Sequence, residues 1–425
     1  MLSHFHIEFY FYNRGMTLFI NSDRFKEDFD QLAQIGSTGD GGVNRTALSA
    51  AHLEARAWFS AKAAYAGLHP QTDSAGNVSA ILQSPIPNLQ SLLLGSHTDS
   101  VPNGGRFDGA LGVVAALEVL RTIKESGVQL KVNLEAIDFT DEEGTLVGLL
   151  GSSALVDGIT QESLSNPRGG RSKLEEGLAR AHLTESGILN AKRDSKSIAG
   201  YLELHIEQGP RLTQSAIAIG VVSGIVGITS YRMKYIGAAN HAGTTPMETR
   251  SDAGLGASAF TLTAREMVMR DFPNCVVNVG QMSFKPGAFN IIPVVAEFAL
   301  EFRSPESKQL KQLEASLLGL AEVIARQFRL TLEYEHAGGC IPAPMSQRAQ
   351  AAITAAADSL ALTHTSLHSG AGHDAQSLAP ITDAGMIFIP SRDGISHSPL
   401  EHSEWDDCLN GANVLLRAAL RMGEG

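Results

Sequence analysis

Segments with helical and with strand-like spacing of apolar residues alternate through the first third of the chain. Apolar residues recur at helical spacing in 22–34 and again in 49–66. The run 91–96 has an unbroken apolar centre, as expected for a strand that is buried on both faces of a sheet. A glycine-rich turn, an apolar helical segment at 110–123 and a second strand at 131–139 follow it. This succession predicts a βαβ unit.

The pattern changes at about residue 222. From there the spacing predicts one strand, a helix, two strands, a helix and a last strand, at 225–236, 252–270, 276–284, 294–303, 306–327 and 330–335. This βαββαβ order is the split motif of ferredoxin-like folds. We therefore expect residues 223–335 to form a separate domain that is inserted into the first one.

The final part of the chain returns to the earlier pattern. A helix at 347–360, a strand at 386–389 and a helix at 405–421 are expected to complete the layer begun by the N-terminal part. We predict an α/β protein in which a mixed central sheet with flanking helices forms a discontinuous domain from residues 16–222 and 336–425.

Length and composition agree with two globular domains. The chain has 425 residues, whereas a single core stops growing at about 250 to 300 residues. It is 43% apolar and 18% charged, and no apolar run approaches the roughly 18 residues that cross a bilayer, which argues against a membrane span. Residues 1–15 lack the pattern of a signal peptide and precede Met16. We expect them to be disordered or to lie upstream of the native start.

The net charge and the cysteines limit which partners the protein is expected to bind and in which cellular compartment it is expected to lie. There are 33 basic and 45 acidic residues, and the net charge of -12 argues against nucleic acid and anionic membranes as partners. The cysteines at 275, 340 and 408 are far apart and odd in number, so neither a disulfide framework nor a Cys-x-x-Cys metal site is expected. We predict a cytoplasmic protein.

The first candidate for chemistry is a His-x-Asp pair at the end of the strand 91–96. There His97 can bind a metal ion while Asp99 orients the other ring nitrogen. An isolated pair of this kind is more often a hydrogen-bonded strand terminus. However, Asp108 follows eleven residues after His97 in a glycine-rich turn, where its two carboxylate oxygens can serve two cations. That spacing favours a metal site.

The second candidate is the segment Asp141-Glu-Glu-Gly-Thr, which follows the strand ending at Phe139. In most proteins two adjacent glutamates belong to a solvated loop. At the end of a buried strand, however, the side chains of consecutive residues diverge. We therefore expect Glu143 to bind metal and Glu142 to act as a general base beside it.

Two further histidines complete the candidate site. The alternation of the strand 201–206 places His205 on the face opposite its leucines, and His397 lies in a short polar loop. Each alone is more often structural than a ligand. Together with His97 and two carboxylates they supply three ligands to each of two ions if Asp108 bridges. Imidazole and oxygen ligands without thiolate suit Zn, Mn, Co or Ni. We expect two divalent ions per subunit, with zinc as the first expectation.

The segments that carry these residues resemble one known family over nearly the whole chain, from about Asn21 onward. It is the hydantoinase/carbamoylase branch of the dinuclear-metal aminoacylase and carboxypeptidase family, which includes N-carbamoyl-L-amino acid hydrolases, β-ureidopropionases and allantoate amidohydrolases. The matching blocks are Gly95-Ser-His-Thr-Asp-Ser-Val-Pro-Asn-Gly-Gly, Phe107-Asp-Gly, Asp141-Glu-Glu-Gly, His205-Ile-Glu-Gln-Gly-Pro, His241-Ala-Gly-Thr-Thr-Pro-Met and Gly394-Ile-Ser-His-Ser.

The resemblance implies how the candidate ligands are shared. It assigns one ion to Asp108, Glu143 and His397. It assigns the other ion to His97, Asp108 and His205. By the same resemblance, Glu142 is the general base. Peptidase relatives usually carry a carboxylate at the fifth ligand position, so a histidine at 205 is typical of the amidase branch.

The resemblance also implies a role for the inserted domain, as a mobile lid and as the surface of a homodimer. In that role His241 would polarise the scissile carbonyl across the dimer, while Asn290 and Arg303 hold the substrate. An arginine fork suits a substrate carboxylate, since two parallel hydrogen bonds fix its plane. Gln208 is a further expected contact. The ordinary alternatives are a surface charge for Arg303 and a capped strand end for Gln208.

The candidate site predicts a metal-dependent hydrolase, and the resemblance implies that it cleaves a linear amide or ureido C–N bond of a small carboxylate substrate. The first expectation is conversion of an N-carbamoyl-L-amino acid to the amino acid, ammonia and CO2. The alternatives are an allantoate amidohydrolase or a β-ureidopropionase, and then an aminoacylase or dipeptidase. A catalytically inactive metal-binding scaffold is a hypothesis of another class, which should lack a ligand or the base; none of the six is missing.

Overall fold

The computed structural model describes residues 18–86 and 90–424, so the predicted extension at 1–15 lies outside the described residues. The described chain forms two compact units. The first combines the chain up to Ser223 with Met345–Leu367 and the part from His373 onward. The second unit combines Gly224–Pro344 with His368–Gly372.

The helices and strands follow one another in three stretches of the chain. The first stretch contains α1 Ser22–Gln34, α2 Ala50–Tyr65, β1 His69–Thr72, β2 Val78–Leu82, β3 Ser91–His97, α3 Ala110–Ser126, β4 Asn133–Phe139, α4 Leu150–Leu155, α5 Gln161–Ser165, α6 Arg171–Ala181, α7 Glu185–Leu189, β5 Ile198–Ile206, α8 Arg211–Ser215 and β6 Ile219–Ile225. The second contains β7 Gly227–Ile236, α9 Ala253–Asp271, β8 Val276–Lys285, β9 Val295–Ser304, α10 Ser307–Gln327, β10 Thr331–Cys340 and β11 Ala343–Pro344. The third contains α11 Gln347–Ser359, β12 His364–Ser369, α12 Asp374–Leu378, β13 Ala384–Ile389 and α13 Trp405–Gly423.

The first unit is built on a mixed sheet with strand order β1-β2-β4-β3-β5-β13-β6, and β12 also pairs with β6. Strands β4, β3, β5 and β13 are parallel, whereas β2 and β6 run antiparallel to their neighbours β4 and β13. This arrangement confirms the predicted α/β class with a mixed central sheet and flanking helices. Because the carboxyl ends of parallel strands meet at one edge of a sheet, residues that follow these strands are brought together.

The core of the first unit contains a helix that is buried on every side. All residues of α3 from Ala110 to Ile123 are buried, and the helix packs on β3, β4 and β5. A helix that is buried on all sides, as this one is, belongs in the interior of a larger layer. Since α3 begins directly after the glycine-rich turn at 103–109, its burial fixes the position of that turn.

The second unit is a four-stranded antiparallel sheet with strand order β10-β7-β9-β8, and α9 and α10 pack against the sheet. The element order β7-α9-β8-β9-α10-β10 is the predicted βαββαβ order. The last strand extends beyond its predicted end at residue 335, however, because β10 continues to Cys340, paired with Ile228 of β7. Glycines at 338 and 339 interrupt the strand pattern of the sequence. In the structure the register of β10 is irregular at the same place, after His336.

Among the described helices, none combines the length and the apolar character needed to cross a membrane.

Candidate metal centre

The ends of the parallel strands bring the candidate ligands into two overlapping groups. Ligand atoms of His97, Asp108 and His205 all lie within 4.8 Å of one another. Nε2 of His205 is 3.1 Å from Oδ1 of Asp108, and Nε2 of His97 is 3.5 Å from the same oxygen. All three side chains are buried. Two strand-borne imidazoles thus converge on one carboxylate oxygen.

The second group forms around the other oxygen of the same carboxylate. Ligand atoms of Asp108, Glu143 and His397 also lie within 4.8 Å of one another. Nε2 of His397 is 3.6 Å from Oδ2 of Asp108 and 3.3 Å from Oε2 of Glu143. The side chain of His397 is 50% exposed. Asp108 therefore faces one group with each of its oxygens, which is the geometry of a bridging carboxylate.

The charges of these groups fit divalent cations. Burial raises the pKa of Glu142 and of Glu143, each close to a further carboxylate. Burial opposes ionisation of Asp108, yet His205 and His97 hold its pKa well below the usual range. Nε2 of His97 is buried without a hydrogen-bond partner. Buried carboxylates and an unpartnered imidazole nitrogen need positive charge for stability. Imidazole and carboxylate ligands without thiolate suit Zn and related ions.

Backbone carbonyls orient both strand-borne histidines. Nδ1 of His97 lies 3.0 Å from the carbonyl oxygen of Asp99, and Nδ1 of His205 lies 2.8 Å from that of Ile206. A carbonyl oxygen only accepts, so each Nδ1 carries a proton, and each Nε2, once it has lost its own proton, can bind a cation beside Asp108.

The expected role of the Asp99 carboxylate needs a correction. Its Oδ1 is 3.8 Å from Nδ1 of His97, beyond hydrogen-bond distance, because the main-chain carbonyl occupies that place. The carboxylate instead accepts the N–H groups of Glu142 and Glu143, at 3.3 Å each. Asp99 thus links the end of β3 to the loop after β4, and its carboxylate hydrogen-bonds the backbone of the two glutamates and not the imidazole.

The loop after β4 is folded tightly around Asp141. This residue has a positive φ of 55°, and its carboxylate accepts the N–H groups of Leu146, Val147 and Gly148. As a result the two following glutamates diverge. Glu142 lies with Oε2 at 3.5 Å from Nε2 of His97, and Glu143 lies beside His397.

A glycine is required directly after Asp108. Gly109 has a φ of 61°, which side chains rarely adopt, and a Cβ atom there would lie 2.4 Å from the His97 ring. Its N–H also lies 3.3 Å from Nε2 of His205. The glycine therefore allows the turn to approach both imidazoles closely.

Gln208 also lies at this group of residues. Its Nε2 donates to Oδ2 of Asp108 at 2.7 Å, while its Oε1 is buried without a hydrogen-bond partner. Gln208 has a φ of 56°, and its N–H donates to the hydroxyl of Ser391. The unpartnered carbonyl oxygen leaves one acceptor available in the site.

The remaining candidates lie in the second unit. His241 forms an isolated bridge with Ile291, and the N–H of Ala242 donates to the carbonyl of Asn290 at 2.9 Å, so His241 and Asn290 are neighbours. Both side chains are exposed. On β9, Nε and an Nη of Arg303 bond Oε1 of Glu301 at 3.0 and 2.7 Å.

Several residues of the site were missed by the sequence analysis. Glu203 accepts from the hydroxyl of Ser96 and the N–H of Ala375, and it lies with His205 and His373 in a third group of possible ligands. The alternation of β5 could have found Glu203, since it shares the face of His205. His373 follows a glycine in a loop and carries no periodic signal. Glu401, four residues after His397, is a third residue that the sequence did not indicate; its carboxylate accepts the N–H groups of Phe107 and Asp108.

Comparison with known proteins identifies the family of the chain. The model of peptidase family M20/M25/M40 matches residues 93–421. The chain is 35% identical over 408 residues to N-carbamoyl-L-amino acid amidohydrolase of Geobacillus stearothermophilus, covering 96% of this chain and 100% of that protein. It is 32% identical over 381 residues to allantoate amidohydrolase of Bacillus subtilis, covering 88% and 90%. The crystal structure of an amidase of the hydantoinase/carbamoylase family from Burkholderia multivorans superimposes with a TM-score of 0.89 at 31% identity, covering 96% and 100%.

The chain therefore belongs to peptidase family M20/M25/M40. Its mixed α/β fold and its grouped candidate metal ligands fit that class. Its similarity lies with the hydantoinase/carbamoylase amidases of that class, so the resemblance read from the sequence blocks is confirmed. The predicted type of enzyme, a metal-dependent amidohydrolase acting on linear amide or ureido bonds, is confirmed at this level.

Proposed function

We propose that this enzyme hydrolyses N-carbamoyl-L-amino acids to the amino acid, ammonia and CO2. The observation that carries the proposal is the sharing of Asp108 between two ligand groups, in a chain similar over nearly its full length to an N-carbamoyl-L-amino acid amidohydrolase. Allantoate and N-carbamoyl-β-alanine are the alternative ureido substrates, the former because of the Bacillus relative. N-acyl amino acids and peptides are the next alternative substrates.

Two divalent ions are proposed to occupy the site. His97, Asp108 and His205 would hold one, and Asp108, Glu143 and His397 would hold the other. Zinc is proposed first, since its preferred ligands are histidine and carboxylate; manganese, cobalt and nickel accept the same set.

Glu142 is proposed as the general base. When bound, the ions would polarise the substrate carbonyl and lower the pKa of water from about 15.7 to about 7. The Glu142 carboxylate would accept the proton of the attacking water and deliver it to the departing nitrogen. Support comes from its burial, which raises its pKa, and from its Oε2 lying 3.5 Å from Nε2 of His97. Asp99 would assist by holding the backbone of Glu142 in place.

The substrate contacts are proposed from the family membership and from local chemistry. His241 would donate a hydrogen bond to the developing oxyanion, and Asn290 and Arg303 would bind the polar groups of the substrate, with Arg303 on its carboxylate. The exposure of His241 and Asn290 in the second unit supports this assignment. Gln208 would accept from a substrate N–H through its unpartnered Oε1.

The second unit is further proposed to act as a mobile lid and as a homodimer surface. Leu255, Leu262 and Met269 are 42%, 66% and 67% exposed, and their spacing of seven residues places them on one side of α9. An exposed apolar stripe beside the edge strand β8 suits a protein partner, here a second copy of the chain. A cytoplasmic location is proposed because Cys275, Cys340 and Cys408 are free thiols.

The substrate proposal is tested by measuring the release of ammonia and of free amino acid by zinc-loaded protein, since N-acetyl amino acids yield no ammonia. The panel contains N-carbamoyl-L-amino acids, their D-enantiomers, N-carbamoyl-β-alanine, allantoate and N-acetyl amino acids, and each compound is also offered to Glu142→Gln. We expect turnover of the N-carbamoyl-L-amino acids that is lost in the variant. Preferred turnover of allantoate or of N-carbamoyl-β-alanine would identify that compound as the substrate and leave the proposed type of reaction unchanged. Activity on N-acetyl compounds alone would overturn the ureido proposal.

A further inference from the structure

A buried glutamate joins the two chain segments that carry Asp108 and His397. Oε1 of Glu401 accepts the N–H groups of Phe107 and Asp108, at 2.9 and 3.0 Å. Oε2 of the same side chain lies 2.8 Å from the hydroxyl of Ser396, the residue before His397. Glu401 is only 5% exposed. One carboxylate thus contacts the turn of one proposed ligand and the loop of another.

The hydroxyl of Ser396 extends this contact to the Asp108 side chain. It lies 2.8 Å from Oδ2 of Asp108 as well as 2.8 Å from Oε2 of Glu401. A hydroxyl has a single proton and donates to one carboxylate at a time, so Ser396 lies between the two side chains within hydrogen-bond distance of both. The oxygen of Asp108 that it contacts is the one that faces His397.

Space for this carboxylate is provided by a glycine. A Cβ atom at Gly105 would lie 2.0 Å from both Cδ and Oε1 of Glu401. Any side chain at position 105 would therefore displace the carboxylate from the N–H groups of Phe107 and Asp108. This close approach is an observation independent of the hydrogen bonds of Glu401.

The two groups of proposed ligands depend on this contact to different degrees. His97 ends β3 and His205 lies on β5, and each is oriented by a carbonyl within its own segment. His397 instead lies in a loop, has a φ of 55° and is half exposed. Its loop also contacts the Asp108 turn through Ser396 and Glu401, and this contact helps to set the position of His397 relative to Asp108.

We propose that Glu401 is a positioning residue for the ion assigned to Asp108, Glu143 and His397. It fixes the backbone of the Asp108 turn and, through Ser396, the loop of His397, so that both ligands meet one cation. The inference rests on the dinuclear centre proposed above. It predicts that loss of Glu401 weakens one of the two ions selectively, while the ion between His97 and His205 is retained.

Two replacements of Glu401 separate positioning from packing. Glu401→Ala removes all three contacts. Glu401→Gln keeps them, because its amide oxygen can accept from Phe107 and Asp108 while its N–H donates to the Ser396 hydroxyl, which can then donate to Asp108. The glutamine variant should therefore behave like wild type in metal binding.

The experiment is a calorimetric titration of the metal-free proteins with Zn²⁺, with the bound ions counted by mass spectrometry after dialysis. We expect two ions on wild type and on Glu401→Gln. On Glu401→Ala we expect one ion to bind as in wild type and the other to bind about 10-fold to 100-fold more weakly. Gly105→Ala, with Glu401 intact, should show the same selective loss, and Ser396→Ala should show a smaller one.

Asp252→Ala is the matched control. Its carboxylate is also buried and accepts two backbone N–H groups, from Gly254 and Leu255, but it lies in the second unit. It should lower the melting temperature and keep both ions. Two ions of wild-type affinity on folded Glu401→Ala, or on Ser396→Ala and Gly105→Ala if Glu401→Ala does not fold, would overturn the inference. So would an equal loss of both ions. Fewer than two ions on wild type would instead overturn the dinuclear centre itself, so the two failures are distinguishable.

Discussion

Nε2 of His205 lies 3.1 Å from Oδ1 of Asp108, and both side chains are buried. The orientation of the imidazole is fixed at its other nitrogen by the carbonyl of Ile206. His205 therefore turns Nε2 toward the carboxylate and keeps this nitrogen as the one that would bind a metal ion. The second oxygen of Asp108 faces His397, so one side chain joins the two ligand groups.

Replacing Glu142 by glutamine is expected to separate catalysis from metal binding. The amide has the same shape but accepts no proton, so turnover of the preferred substrate should fall by about 100-fold to 10,000-fold. Zinc content should not change, because Glu142 is not among the assigned ligands. Glu162→Gln, on the exposed surface of α5 in the same unit, is the control. Turnover within a few-fold of wild type would remove Glu142 from its proposed role.

Metal binding is expected to release protons. In the metal-free protein, burial raises the pKa of Glu142 and Glu143, so they retain protons at a pH where ordinary glutamates are ionised. Bound cations favour the ionised carboxylates, so protons leave on binding and zinc affinity rises with pH. Calorimetry in buffers of different ionisation enthalpy gives the number released. An affinity that falls between about pH 6 and about pH 8 would contradict this expectation.

Arg303→Lys should raise KM more than it lowers kcat. A lysine keeps the charge but loses the planar fork that matches a carboxylate, and we expect a KM increase of roughly 10-fold to 100-fold. Arg232→Lys, an exposed position on neighbouring β7, is the matched control. An unchanged KM would indicate that Arg303 is only a surface charge paired with Glu301.

Leu262→Glu tests the proposed homodimer. A charge in the centre of the exposed α9 stripe should be costly in a buried interface, so sedimentation should change from a dimer to a monomer for the variant. Lys308→Glu, on the exposed surface of α10, is the control for charge alone. A wild-type protein that sediments as a monomer would contradict the proposal, and so would a variant that remains dimeric.

The candidate ligands selected from the sequence lie together in the structure, but their contacts were not predicted in full. Strand-end positions and spacing selected His97, Asp108 and Glu143, because a parallel sheet collects such positions at one edge. The role of Asp99 was assigned wrongly, since a pattern does not tell a main-chain carbonyl from a carboxylate. In the structure the main-chain carbonyl of Asp99 accepts from the His97 imidazole, and its carboxylate accepts from the N–H of Glu142.

The residues that were missed are those whose partners lie far away along the chain. Glu401 bonds Phe107 and Asp108, almost three hundred residues earlier, and no local pattern distinguishes it from an ordinary polar loop residue. The end of β10 was also missed, because its last residues are glycines that pair with β7 through their backbone alone. Both depend on tertiary contacts that periodicity does not encode.

The central claim is that Asp108 bridges two ions, and anomalous diffraction from crystals of the zinc-loaded protein tests it most directly. If Asp108 bridges two ions, two zinc peaks will lie about 3.5 to 4 Å apart on either side of its carboxylate, one beside His97 and His205 and the other beside Glu143 and His397. A single peak, or two peaks without Asp108 between them, would contradict it.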